Sequence, residues 1–125
     1  MEQRNISISG AELEVMKVIW NRKRAVTSLD ISEAFETKGW KKTTIGTFLT
    51  RLVEKGALSA EKRGKLYYYT PIISQKDYRM FQTKNLITSL YGGSIKDFAV
   101  SLFEEQSISD EELKELRAIF VDKEI

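Results

Sequence analysis

The residues best suited to meet a polyanion are gathered in two short runs. Lys41, Lys42, Thr43, Thr44, Gly46, Thr47, Thr50 and Arg51 fall in one predicted helix and its entrance, and Lys62, Arg63 and Lys65 surround Gly64 shortly afterwards. Ammonium and guanidinium groups neutralise phosphate, while threonine offers a hydroxyl to phosphates and base edges and a methyl to thymine. Residue types for covalent or metal chemistry are scarce. The chain has no cysteine and no histidine, which removes thiolate nucleophiles, cysteine metal sites, the commonest zinc ligand and the commonest acid–base catalyst. It has no glycine-rich phosphate loop, and acidic pairs such as Glu111/Glu112 read as helix-cap and solvated charges. The pattern argues against an enzyme and calls for neither metal nor cofactor.

The first run belongs to "TTIGTFLTRLVEKGAL", Thr43 to Leu58, predicted helical over 42–55. At about 100° per residue, Ile45, Phe48, Leu49, Leu52 and Val53 form one apolar stripe. The opposite face gathers Thr43, Thr47, Thr50 and Glu54, flanked by Gly46 and Arg51. Threonine and glycine are poor helix formers. No acid occurs from Thr37 to Val53, and Lys41 and Lys42 stand at the helix entrance. An acid there would stabilise the helix by about 0.3–1 kcal/mol, and without one the N-terminus attracts phosphate. A threonine-rich face is equally compatible with plain solvated surface, so position must decide between the two.

Five Ser/Thr residues, each followed three positions later by an acid, mark helix starts elsewhere: Ser9/Glu12, Thr27/Asp30, Ser74/Asp77, Ser94/Asp97 and Ser109/Glu112. Four of the five also carry apolar residues placed for a hydrophobic staple; Gly93 interrupts the fourth. The predicted helices run 9–21, 27–37, 42–55, 74–91, 94–105 and 109–121. Between the third and fourth, "LSAEKRGKLYYYTP" reads as a β-hairpin turning at Arg63-Gly64-Lys65 and ending at Pro71, the only proline. Alternate residues among Tyr67, Tyr68 and Tyr69 are expected to pack on the core, and Trp20 and Trp40 to be core or turn residues. The order is mainly α with one small hairpin: a winged helix-turn-helix over 1–72, then a three-helix region over 73–125. The threonine helix occupies the recognition slot of that layout, and the basic hairpin occupies the wing. A solvated charged turn is the plainer reading of the hairpin tip.

The net charge of +2 conceals an asymmetry. Residues 1–72 hold 13 Lys/Arg against 8 Asp/Glu, a net +5, and residues 73–125 hold 7 against 10, a net −3. The basic half is the one expected to meet nucleic acid. The acidic half carries Tyr78, Phe81, Ile87, Leu90, Tyr91, Ile95, Phe98, Leu102, Phe103, Leu113, Leu116, Ile119 and Phe120 on three short amphipathic helices. A unit of about 60 residues buries only about 60% of its unfolded surface. Pairing with a second copy would cover the remainder and set two recognition helices on successive half-sites; packing on the first domain is the alternative. No apolar run approaches the roughly 20 residues of a membrane span, and "MEQRNISIS" lacks a signal-peptide core, so a soluble cytoplasmic protein is expected. A dimeric DNA-binding protein is the leading reading, and a winged-helix protein-interaction module without specific DNA binding is the alternative.

"ISGAELEVMKVIW" (8–20), "TTIGTFLTRLVEKGAL" (43–58), the hairpin ending "YYYTP" and the tail "YGGSIKDFAVSLFEE…SISDEELKELRAIF" together resemble the penicillinase repressor (BlaI/MecI/CopY) family over nearly the whole chain. The resemblance implies a bacterial dimeric winged-helix repressor on a palindromic operator, released by proteolysis of its C-terminal region under control of a membrane sensor. In the antibiotic-responsive members the recognition helix resembles "KTIRTLITRL". Thr44 and Thr47 match, while Thr43 stands for a lysine and Gly46 for an arginine. Their scissile Asn-Phe corresponds here to Ser101 and Leu102. The cysteine-rich metal motif of the copper-responsive branch has no counterpart.

Overall fold

The computed structural model describes residues 6–105 and 107–123. The elements follow in the order α1 (Gly10–Arg22), α2 (Ser28–Ala34), a 3₁₀ turn (Glu36–Lys38), α3 (Lys42–Glu54), β1 (Leu58–Arg63), β2 (Leu66–Pro71), α4 (Gln75–Tyr91), α5 (Ile95–Glu104) and α6 (Asp110–Lys123). The fold is mainly α with one antiparallel hairpin, as the sequence predicts. Each expected cap is in place. The hydroxyls of Ser9, Thr27, Ser74, Ser94 and Ser109 accept the backbone N–H three residues on, at 3.0–3.2 Å. At Ser9 and Thr27 the acid also accepts the N–H of its capping residue.

The second helix is shorter than its periodicity suggests. It stops at Ala34, and the chain tightens through the 3₁₀ turn to Gly39, whose φ of 73° lies in the left-handed region. Phe35 leaves helical geometry with φ −110°. Its ring is buried and stacks 4.6 Å from Trp40, which in turn meets Phe48 of α3 edge-on at 5.2 Å. Packing of this aromatic trio ends the helix where intrinsic propensity would have extended it.

The compact units divide at Arg79/Met80, inside α4. The core of the first comprises Val15, Met16 and Ile19 from α1, Ile31 from α2, and Ile45, Leu49 and Leu52 from α3, closed by Val26, Ala57 and Leu58. Trp20 is also buried; its Nε1 donates to the Ile73 carbonyl at 2.9 Å, and its ring lies 5.9 Å from Tyr78. Val26 exchanges backbone hydrogen bonds with Tyr69 at 3.0 and 2.7 Å, an isolated bridge beside β2. The β1–β2 register pairs Leu58 with Pro71 and Arg63 with Leu66, leaving Gly64-Lys65 as a two-residue turn. Gly64 has φ 66° and Lys65 has no positive φ, the signs of a II′ hairpin turn.

In the second unit, Gly92 and Gly93 at φ 58° and 87° break α4 from α5. Tyr91 packs edge-on against Phe98 at 5.4 Å, and its hydroxyl lies 3.0 Å from that of Ser101. Ile87 is the one large apolar side chain from residue 80 onward that is buried among the described residues.

Candidate nucleic-acid interface

α3 packs one face on the core and leaves the other to solvent. Ile45, Leu49 and Leu52 are at most 1% exposed, whereas Thr43, Thr47, Thr50 and Arg51 face solvent. The helix starts at Lys41, which gives no side-chain cap, and it has no acid in its first turn. It ends in a Schellman arrangement. Ala57 N–H reaches the Leu52 carbonyl at 2.9 Å and Gly56 N–H the Val53 carbonyl at 3.0 Å, with Gly56 at φ 85°. The C-terminal carbonyls are thus satisfied internally, and the uncapped N-terminal amides are the end left for an anion.

Lys42, Thr43, Gly46, Thr47, Thr50 and Arg51 line one open groove along α3. Ser28 at the start of α2, Glu54 and Tyr69 of β2 complete it. Sequence reasoning did not assign Ser28 or Tyr69 to this surface; strand pairing of Tyr69 with Val26, a contact between distant segments, is what brings the tyrosine there. Burial first, then the neighbouring Tyr67, raises the Tyr69 phenol above its ordinary value of 10.0, so it stays a hydrogen-bond donor at neutral pH. Thr47 donates its hydroxyl to the Thr43 carbonyl at 3.0 Å, leaving its oxygen free to accept. Lys41 is exposed at the helix entrance and Thr44 half-buried; neither lines the groove.

Lys62, Arg63 and Lys65 are exposed around the hairpin tip. Arg63 is paired with Glu61 at 2.8 Å and sits 4.8 Å over the Tyr68 ring, and Lys62 lies 5.9 Å from Tyr67. The alternation expected of the three tyrosines is therefore only partly seen. Tyr69 packs on the core, while Tyr67, two residues nearer the tip on the same strand face, is 50% exposed, because the hairpin extends beyond the core. Exposed ion pairs contribute about 0–1 kcal/mol, so the Glu61 pairing yields readily to a stronger anion.

Of the apolar residues expected for pairing, Tyr78 lies in the first unit, covered by Trp20. Ile87 is buried; Phe81, Tyr91, Phe98, Leu102, Leu113 and Leu116 are half-buried; Leu90, Phe103 and Phe120 are 70%, 47% and 68% exposed. Ser101 and Leu102 lie within α5, where the Ser101 hydroxyl donates to the Phe98 carbonyl at 2.6 Å. Among the described residues no helix is long and apolar enough to cross a membrane, and no cluster of acidic residues is placed to hold a metal ion.

Comparison with known proteins agrees with this geometry. The penicillinase repressor family model matches residues 8–122. The penicillinase repressor of Bacillus licheniformis is 39% identical over 112 residues, covering 90% of this chain and 88% of that protein. The methicillin resistance regulatory protein MecI of Staphylococcus aureus (strain N315) is 34% identical over 119 residues, covering 95% and 97%. Among solved structures, the DNA-binding domain of the repressor BlaI matches with a TM-score of 0.54 at 42% identity, over 62% of this chain and 94% of that one. Monomeric B. licheniformis BlaI in complex with the blaP half-operator matches with a TM-score of 0.51 at 41% identity, over 61% and 94%. The chain belongs to the penicillinase repressor family.

Proposed function

We propose that this chain is a transcriptional repressor that binds a palindromic DNA operator as a two-fold dimer. The observation that carries the reading is the outward face of α3: an acid-free, uncapped N-terminus beside Lys41 and Lys42, then Thr43, Gly46, Thr47, Thr50 and Arg51 along one open groove. Such a face lets a helix approach the major groove closely, with Arg51 and the threonines as base-edge and phosphate ligands. Lys62, Arg63 and Lys65 act as wing contacts to the phosphate backbone. The half-operator complex of a relative 41% identical over the matched region supports this assignment.

The division of labour follows the two units: the first meets DNA, and the second meets a second copy through Leu90, Phe103, Leu113, Leu116, Phe120 and their neighbours. Relief of repression by cleavage between Ser101 and Leu102, under a membrane sensor, belongs to the same reading. The bond is helical, so a protease would require α5 to open locally first.

Selection of bound fragments from random duplex DNA tests the proposal. The expected product is a palindrome whose half-sites lie about one helical turn, or a multiple, apart, bound with steep salt dependence. Binding with neither sequence preference nor salt dependence would instead identify a winged-helix module for protein partners.

A further inference from the structure

Five acids occupy the third position of a capped helix in this chain, and one of them does more than cap. Asp77, Asp97 and Glu112 are exposed, and Asp30 is half-buried beside the exposed Arg24. Glu12 is 2% exposed. Its Oε1 accepts the Ser9 N–H at 3.0 Å and the Lys55 ammonium at 2.5 Å, a contact spanning 43 residues. Lys55 is the C-cap of the recognition helix α3. The Glu12 charge also reaches Tyr78, which burial first, and then that charge, pushes above its ordinary value of 10.0. One buried carboxylate thus bonds the start of α1 and the end of α3, and its charge is felt at Tyr78 in the first turn of α4.

A cap alone does not explain the arrangement, since the other four function at or near the surface. Stability alone does not explain it, because Lys55 keeps 34% of its side chain exposed and a solvent-screened pair contributes little. Directional geometry remains. The last core residue of α3 is Leu52, and beyond it the chain turns at Gly56. A helix of α3's length is about 20 Å long, so a tilt of about 5° at its C-terminal end moves its DNA-facing start by about 1.5–2 Å. Hydrogen bonds to base edges tolerate only a few tenths of an ångström.

The geometry points to Glu12 as a positioning residue for operator recognition, the contact of this buried carboxylate with the partly exposed Lys55 fixing the angle at which α3 enters the groove. This rests on the DNA-binding reading above.

The test uses the full chain and two duplexes of equal length, one recovered from random DNA by the wild-type protein and one scrambled. Glu12→Gln keeps the shape and removes the charge. Affinity for the recovered duplex is expected to fall roughly 3- to 30-fold, with affinity for the scrambled duplex unchanged. The double variant Glu12→Gln/Lys55→Met removes both charges, so that no ion is left buried and unpaired. It is expected to show the same selective loss while its urea midpoint stays at or above that of the wild type. Wild-type operator affinity in either folded variant would overturn the inference. So would an equal loss on both duplexes in the double variant, which would make Lys55 an ordinary phosphate contact. Failure of the wild type to recover any preferred duplex would remove the repressor reading itself, and this one with it, before any variant is made.

Discussion

The two units of this chain spend their apolar residues in opposite ways. Residues 10–79 close a core in which Val15, Met16, Ile19, Val26, Ile31, Leu49 and Leu52 show no exposure, and what α3 leaves exposed is Lys42, Thr43, Thr47, Thr50, Arg51 and Glu54. Residues 80–123 bury Ile87 and leave Leu90, Ile95, Ile119, Phe120 and Val121 more than half exposed. The first unit leaves some apolar side chains outside as well, Ile72 at 61% and Tyr67 at 50%, but these stand beside a closed core, which the second unit lacks among its described residues. The apolar side chains that the second unit leaves exposed are the surface that the proposed dimer would cover.

The largest effect that separates the two concerns leucines of the same type. Leu49→Ala in the first core should cost about 2–5 kcal/mol of unfolding free energy, because it opens a cavity where the side chain is fully buried. Leu90, 70% exposed, should cost less than about 0.5 kcal/mol when truncated in a dilute monomer. Leu90→Ala should instead weaken self-association, seen as a shift toward monomer in sedimentation and a loss of concentration dependence in the melting temperature. Equal losses for both variants at every concentration would mean that the second unit is closed by internal packing and needs no partner.

Base-reading effects come next. Arg51→Ala should reduce specific operator affinity by about 1–3 kcal/mol while leaving the dimer intact. Thr47→Ala should cost less, because its hydroxyl proton is already committed to the Thr43 carbonyl. The double variant should abolish discrimination between operator and scrambled duplex in a gel-shift titration. Full retention of operator affinity would move the readout to another face.

The same contrast shows how much was legible without coordinates. Helix starts were readable because a hydroxyl and an acid three residues apart act locally, and all five caps formed. The two faces of α3 were readable from an apolar stripe whose opposite side carries no acid before Glu54. What could not be read depends on contacts between distant segments. Phe35 ends α2 by stacking on Trp40, Trp20 draws Ile73 and Tyr78 into the first unit, and Tyr69 joins the α3 groove through its bridge to Val26. Glu12 looked like a cap, and only the fold brings it to Lys55.

Acid should distinguish the units more gently. Burial pushes the Glu12 carboxyl up, but hydrogen bonds from Lys55 and Ser9 outweigh it and hold the group below its ordinary 4.5. The backbone N–H of Thr27 does most to hold Asp30 below 3.8, with Arg24 assisting. A carboxyl depressed in the folded state contributes stability that is present above its unfolded value and lost as the pH falls through its folded value. The first unit should therefore lose urea resistance below about pH 4.5, with Glu12→Gln showing a shallower decline. A decline of the same slope in that variant would show that Glu12 titrates alike in the folded and unfolded chain.

The smallest effect is also the one whose sign carries most information. Gly46 lies in the middle of α3 with an ordinary helical φ, and a Cβ placed there would meet nothing within 4 Å. The fold therefore needs no glycine at this position, and Gly46→Ala should stabilise the first unit by about 0.8–1 kcal/mol. If the bare backbone exists so that α3 can approach base edges closely, the same variant should bind the operator more weakly despite being more stable. Gly46→Arg separates the two remaining accounts, since this position holds arginine in the antibiotic-responsive relatives it resembles. A further loss of affinity supports close approach, because the larger side chain holds the helix away. A gain would show that glycine here removes a contact, and that this chain relies more heavily on Arg51 and the wing than those relatives do.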